Sequence, residues 1–319
     1  MKKIIEITPD SKFKIQNSSK LIESWIPEIP SVYQIEVMSK CNFRCNFCKT
    51  GMSGEPYLGD AAISNDLFYT ILDRDLSGSS FIELQFRGEP TLNKNLFNYV
   101  KALRTKKLFV GFSTHGNLLH QHHALRAALN SHYVTISMDA AEKDLYENYR
   151  LGGAWERLLM NINLLVHEKG ARPFPIIDLQ LIEFDGVEDQ VKKLRRLVQE
   201  FGWDVLAGKS LRIRTIKDTQ ANVQHFTSEL CTNPWYSVSI KANGDVVPCC
   251  MAFEDDIELV YGNLHNDSLK TIWNSDKVNQ FRLMHRQDKL PETCQKCYAR
   301  SPHNFHQNLM NDILKEHVL

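Results

Sequence analysis

Three cysteines within eight residues, Cys41-Asn42-Phe43-Arg44-Cys45-Asn46-Phe47-Cys48, constrain this 319-residue chain more than anything else in it. With three and then two residues between them, one short turn can bring three thiolates onto one centre. Three sulfur ligands leave a four-iron cluster with one iron open, which suits binding a substrate or cofactor rather than carrying electrons alone. The same donors also suit zinc, since sulfur-rich tetrahedral coordination serves either metal. Zinc sites more often pair two C-x-x-C knuckles, or one knuckle with histidines. The amino terminus, Met1-Lys2-Lys3-Ile4-Ile5-Glu6, lacks a secretory apolar core, so eight cysteines argue for metal or redox chemistry in a reducing cytoplasm rather than disulfides.

Charge adds exclusions. Lys+Arg and Asp+Glu are equal at 38 each, so no global field recruits nucleic acid or an anionic membrane. No run reaches the about 18 apolar residues of a membrane span.

Residues 1–30 read as an irregular lead-in with some helix near Leu21–Trp25. From Ser31 the pattern alternates between strand and helix. Strands are expected at 31–38, 81–86, 108–113, 133–138, 176–182 and 211–216. Helices are expected at 66–76, 95–106, 122–129, 154–168 and 187–201, the first capped by Ser64 or Asn65. Such alternation implies a parallel sheet with right-handed crossovers. The six units are shorter than the about 250 residues of a complete eight-fold barrel, so a partial (β/α)6 barrel is the fold expected for 31–220. Chemistry in such barrels sits on loops at the carboxyl ends of the strands, and the cysteine loop follows the first strand.

The cysteine triplet resembles the CxxxCxxC motif of the radical S-adenosylmethionine (SAM) family, whose core is a partial TIM-like barrel. The resemblance implies a [4Fe–4S] cluster on Cys41, Cys45 and Cys48, SAM on its open iron, and cleavage of SAM to a 5′-deoxyadenosyl radical. Phe47 stands where the family usually has an aromatic near the adenine. Arg87-Gly88-Glu89-Pro90 looks like the family's GGEP, with Arg87 in place of the first glycine, and implies that Gly88, Glu89 and Pro90 meet the SAM amino group. Ser113-Thr114-His115-Gly116 stands where the family often has T-N-G near the ribose, with His115 replacing the asparagine. Ser137-Met138-Asp139-Ala140 is similar to S-x-D-G, implying contacts of Ser137 and Asp139 with the SAM carboxylate or ribose; capping a helix is the other reading. Arg150, before Gly152-Gly153, resembles an arginine near the SAM carboxylate. His120, His122 and His123 read as a solvated helix end. Arg212 and Arg214 alternate on the sixth strand and point two cations one way, either into the barrel toward a polar substrate or out to solvent.

The text changes again in 221–319. Residues 236–241 and 246–247 flank Asn243-Gly244, a strong hairpin signal. The hairpin brings Cys231 and Cys249 together, and Cys294-Gln295-Lys296-Cys297 closes the site. Four thiolates without histidine suit rubredoxin-like iron, zinc or a fully ligated [4Fe–4S] cluster. The order of Cys231, Gly244-Asp245-Val246-Val247-Pro248-Cys249, Gly262-Asn263-Leu264, Ile272-Trp273 and the final C-x-x-C resembles SPASM/twitch auxiliary-cluster domains. With fewer cysteines than two-cluster SPASM domains carry, a single auxiliary [4Fe–4S] cluster on Cys231, Cys249, Cys294 and Cys297 is implied, with a C-terminal tail beyond it.

Cys250 is left over. A free cysteine is usually a small buried hydrophobe, but in related epimerases a thiol beside the auxiliary ligands returns a hydrogen atom to the substrate radical. The expectation is epimerisation of a hydroxylated small molecule, an aminoglycoside or sugar, with Cys250 as donor. Dehydrogenation of an aminocyclitol, modification of a ribosomal peptide, and a non-catalytic iron–sulfur or zinc module are the alternatives. The short lead-in leaves no room for a leader-peptide binding domain, which favours the small molecule. A flavodoxin- or ferredoxin-type reductant is the implied partner.

Overall fold

A computed structural model describes residues 28–45, 47–48, 50, 62–76, 80–183, 186–217, 231–252, 257–295 and 297. The expected helix near Leu21–Trp25, the boundary at 220/221 and the C-terminal tail lie outside the described residues. The first six strands are β1 (Val32–Ile35), β2 (Phe81–Glu83), β3 (Phe109–Thr114), β4 (Tyr133–Ser137), β5 (Ile176–Glu183) and β6 (Leu211–Lys217). Between them run α1 (Asn65–Arg74), α2 (Leu96–Thr105), α3 (His122–Asn130), α4 (Lys143–Tyr149), α5 (Trp155–Lys169), α6 (Val187–Glu200) and α7 (Trp203–Ala207). The strands lie side by side in chain order and parallel, so every crossover goes the same way and the helices collect on one face. This is the expected partial barrel.

The outward face of the strands carries the core. Tyr33, Ile35, Ile82, Leu84, Val110, Phe112, Val134, Ile136, Ile177 and Leu179 are buried against the helices. The α1 helix shows the local logic. Ser64 accepts from the Leu67 amide at 3.1 Å as its cap, and Leu67, Phe68, Ile71 and Leu72 form the buried stripe.

The inward face is different. At its amino-terminal end a small apolar floor joins Val32, Phe81, Tyr133 and Ile176, with Phe109 packed on it. Above the floor, strand register aligns Gln34, Glu83 and Gly111 with Tyr133, and one inward step further along aligns Ser113, Thr135, Asp178 and Arg212, the two rows making one layer. It is a polar level: Ser239 donates to Gln34 at 2.8 Å, Gln34 Nε2 to Glu83 at 2.9 Å, and the Tyr133 hydroxyl to the other Glu83 oxygen. Tyr133 reaches Glu83 across β3 because Gly111 is there; a Cβ on it would lie 2.0 Å from the Tyr133 ring.

The hairpin forms as expected, from β7 (Ser237–Ile240) and β8 (Asp245–Val247), with β9 (Gly262–Asn263) on its far side. Its place was not expected. The β7 strand pairs in parallel with β1, Val32 opposite Ser237, and so continues the barrel sheet. The α8 (Leu269–Trp273), α9 (Asp276–Arg286) and α10 (Glu292–Gln295) helices follow, the first two capped by Ser268 and Ser275. No helix among the described residues is long and apolar enough to cross a membrane.

Candidate active site and auxiliary thiol cleft

The cysteine loop leaves β1 and closes on itself. The Phe43 amide donates to the Cys41 sulfur at 3.4 Å, the Cys48 amide to the Cys45 carbonyl at 3.1 Å, and Arg44 to the Cys41 carbonyl at 3.1 Å. The three thiols are near enough to feel one another. Burial pushes the Cys41 thiol up to about 12, and the charges of Glu89, Cys45 and Cys48 add to the shift. Burial likewise raises Cys45, against the opposing pull of Arg150. Thiols held this way ionise when a metal takes the proton's place, so the donor set fits an iron–sulfur cluster.

Three loops hold this turn. From β2, Gly88 packs so closely that a Cβ would stand 2.2 Å from the Met38 carbonyl oxygen, and the Glu89 amide donates to the Lys40 carbonyl at 2.9 Å. The Glu89 carboxylate, 3% exposed, turns the other way. It accepts from the Thr91 amide at 3.1 Å, the Thr91 hydroxyl, the Thr114 hydroxyl at 2.6 Å and the His115 amide at 2.9 Å. Glu89 therefore joins the loops after β2 and β3 through its carboxylate. Pro90 is buried at the start of a short 3-10 turn, Pro90–Leu92, that Glu89 caps.

His115 has its own structural work. Its Nδ1 accepts from the Asn117 amide at 3.1 Å, which leaves Nε2–H to donate to the Asn42 side chain at 2.9 Å. Burial pulls its pKa down, so the ring is neutral, and it stacks on Phe43 at 3.8 Å. The residue that replaces the family's asparagine thus braces the cysteine loop from β3. Ser113 donates its amide to Gln85, and Ser137 ends β4 on the inward face opposite Gln180.

The third loop follows β4. Asp139, fully buried with φ +61°, pairs with Arg150. The Arg150 guanidinium lies 5.2 Å over the Phe47 ring, which also packs against Tyr149 at 5.7 Å. Asp139, Arg150, Phe47 and Cys45 form one contiguous group, and the charge of Asp139 holds the Arg150 pKa up against burial. Arg214 faces inward, its Nε 3.5 Å from Asp178 and its Nη2 3.4 Å from the Thr135 hydroxyl; Arg212 shares that face by register. His123 bonds the Thr91 carbonyl at 2.8 Å and His120 lies 3.4 Å from Asn161, so this end of α3 is partly tied into the fold, unlike the solvated end expected.

The five remaining cysteines line one cleft, together with Pro248, Leu259, Phe281 and His285. Cys231 precedes a 3-10 turn, Asn233–Trp235; Cys249 leaves β8; Cys294 sits in α10, and the Cys297 amide donates to the Cys294 carbonyl at 3.4 Å. Among the described residues no group of three His, Cys, Asp or Glu side chains is drawn tightly enough to hold one metal ion. Thiols spread around one cleft have the chemistry to surround a larger cluster.

A family model described as SPASM, an iron–sulfur cluster-binding domain, matches residues 231–298. The tungsten-containing aldehyde ferredoxin oxidoreductase cofactor-modifying protein of Pyrococcus furiosus is 23% identical, over 85% of this chain and 88% of that one. The S-adenosyl-L-methionine-dependent 2-deoxy-scyllo-inosamine dehydrogenase of Niallia circulans is 26% identical, over 80% and 86%. Among solved structures, BtrN in complex with AdoMet and 2-DOIA superposes with a TM-score of 0.55 at 18% identity, covering 87% of this chain and 97% of that one. The chain is similar along most of its length to radical SAM enzymes, and its residues 231–298 match the SPASM domain that such enzymes carry.

The loops that hold the cysteine turn and the thiol cleft are joined through Arg87, which stands where the radical SAM motif has a glycine. Arg87 Nη2 donates to the Ala252 carbonyl at 3.0 Å, tying the loop after β2 to the segment that carries Cys249 and Cys250. Motif matching also passed over the inward polar level of Gln34, Glu83, Thr135 and Asp178. The available signal was a polar residue at alternating positions inside otherwise apolar strands.

Proposed function

We propose that this chain abstracts a hydrogen atom from a C–H bond of a hydroxylated small molecule, an aminoglycoside or sugar, and returns one from Cys250 to the opposite face. The result is epimerisation. A [4Fe–4S] cluster on Cys41, Cys45 and Cys48, with SAM on its open iron, supplies the abstracting radical when bound. A second cluster belongs on Cys231, Cys249, Cys294 and Cys297. The polar inward level, with Arg212 and Arg214 at one end, supplies hydrogen-bonding groups for a hydroxylated ring, and the braced loops orient it and exclude water.

The position of Cys250 carries the reading. Cys250 lines the SPASM cleft, yet its thiol also feels Glu83, which belongs to the inward level of the barrel, and Arg87. Its charge environment thus includes the barrel's inward face as well as the second cluster site. Burial, then the charge of Glu83, pushes the Cys250 thiol up to about 11, so it stays S–H at neutral pH, the form that can donate a hydrogen atom. After donation the sulfur is one electron and one proton short. A ferredoxin- or flavodoxin-type reductant and solvent would restore them.

A second reading, two-electron oxidation, is favoured by the dehydrogenase relative. Turnover in D2O, read by mass spectrometry, separates the two. Epimerisation gives a product one mass unit heavier, and Cys250→Ala abolishes the label. Oxidation gives a product two units lighter and is insensitive to that substitution. The donor form is present below the raised pKa and disappears above it. Label incorporation should therefore hold steady from pH 7.5 to about 9.5, where an ordinary thiol of pKa about 8.5 would already be mostly ionised. A fall centred near that ordinary value would contradict the buried-donor assignment.

A further inference from the structure

We infer that the Tyr261 hydroxyl is a hydrogen-bond donor to sulfur of the auxiliary cluster, a positioning residue that raises that cluster's reduction potential. The inference rests on the reading of Cys231, Cys249, Cys294 and Cys297 as cluster ligands.

Tyr261 is 6% exposed, and its hydroxyl oxygen is buried without a hydrogen-bond partner among the described residues. Its place is set by the same ribbon that delivers Cys249, because the Tyr261 amide donates to the Val246 carbonyl at 2.7 Å. The ring meets Phe281, which lines the thiol cleft, edge to face at 5.5 Å. Three of the four assigned ligands, Cys249, Cys294 and Cys231, lie close enough for their charges to push the phenol's pKa up, adding to burial. A buried hydroxyl without a partner is costly, and phenylalanine would fill the same space without that cost. What makes the oxygen worth keeping is an acceptor in the cleft, and the acceptors a cluster offers there are thiolate and sulfide sulfurs.

The surrounding wall agrees. Arg282, 2% exposed, stacks on Trp273 at 4.2 Å and has Nη2 buried without a partner; Trp235 has its indole N–H in the same state. Arg282 bears directly on Tyr261, its charge opposing the upward push on the phenol. Buried donors with no acceptor among the described residues therefore stand directly behind the cleft lining, Tyr261 against Phe281 and Trp235 against His285, where negative sulfur is expected in front of them. Hydrogen bonds to cluster sulfur draw electron density from it and stabilise the reduced state, which moves the potential upward.

The test uses the full chain with Cys41, Cys45 and Cys48 replaced by alanine, so that only the auxiliary cluster forms. The midpoint potential is titrated under anaerobic conditions by EPR and absorbance, with and without Tyr261→Phe. Iron and sulfide contents are measured in parallel. The expected result is unchanged iron and at least a tenfold lower ratio of reduced to oxidised cluster at fixed potential, about 59 mV downward for a one-electron couple. A midpoint that does not move overturns the inference. Loss of iron from Tyr261→Phe overturns it too, by making the phenol a packing residue. Absence of iron from the parent overturns the auxiliary-site reading and this inference with it.

Discussion

Alanine in place of Gly88 will leave the cysteine loop without its iron while the SPASM site stays loaded. The added Cβ would lie 2.2 Å from the Met38 carbonyl oxygen, 2.6 Å from the Lys40 carbonyl oxygen and 2.7 Å from the Ser39 carbonyl carbon. All three neighbours are backbone, so no side-chain rotation relieves the contact. One of the two loops must move, and Lys40 is the residue just before Cys41. The 2.9 Å bond from the Glu89 amide to the Lys40 carbonyl would stretch with it. Forcing extra atoms into a packed site costs about 1–3 kcal/mol. The chain survives that loss, but a ligand set displaced by an ångström does not keep its geometry. Iron per chain after anaerobic reconstitution decides the matter. A variant with the wild-type iron content would show that the close approach of the two loops is not what positions Cys41.

Much of this was readable because the relevant patterns are local. The alternation of strands and helices, the capping serine before α1 and the Asn243-Gly244 hairpin all appear within short windows of sequence. The α4 helix was not read, because only Tyr146 of it is buried and its remaining residues carry no apolar period. Nor could a window reveal that β7 docks on β1, since Val32 and Ser237 meet only in space.

Motifs carried the site further than patterns did, but they name residues rather than atoms. Glu89 is where the motif puts it, yet its carboxylate bonds Thr91, Thr114 and His115 while its amide faces the cysteine loop. His115 looked like a departure from the motif, and in the fold it is a brace between Phe43 and Asn42. Arg87 looked like another, and it links barrel to cleft. Which way a side chain turns depends on partners dozens of residues away, and that information is not in the spacing.

Asp139→Asn should destabilise the metal-free protein by about 3 kcal/mol, the lower end for breaking one side of a buried ion pair. Asp139 is fully buried, and its partner Arg150 keeps only 14% of its side chain exposed. Asparagine is the informative replacement because it tolerates the left-handed backbone at this position, φ +61°, so charge is removed without adding strain. Alanine would mix the two effects. The lower estimate applies because Arg150 keeps other company, the Phe47 ring at 5.2 Å and the Cys45 thiol, whose pKa it pulls down. That second contact makes the cost depend on metal. In the apo protein Cys45 is a neutral thiol, raised by burial, and offers the stranded guanidinium no counter-charge. When the loop holds iron, Cys45 is a thiolate and takes over part of the role of Asp139. Urea unfolding under anaerobic conditions should therefore show a large drop in midpoint for apo Asp139→Asn and a smaller one for the iron-loaded form, with the slope unchanged in both. Equal drops in the two forms would mean that Arg150 does not couple Asp139 to the cysteine loop, and that the pair serves the β4 turn alone.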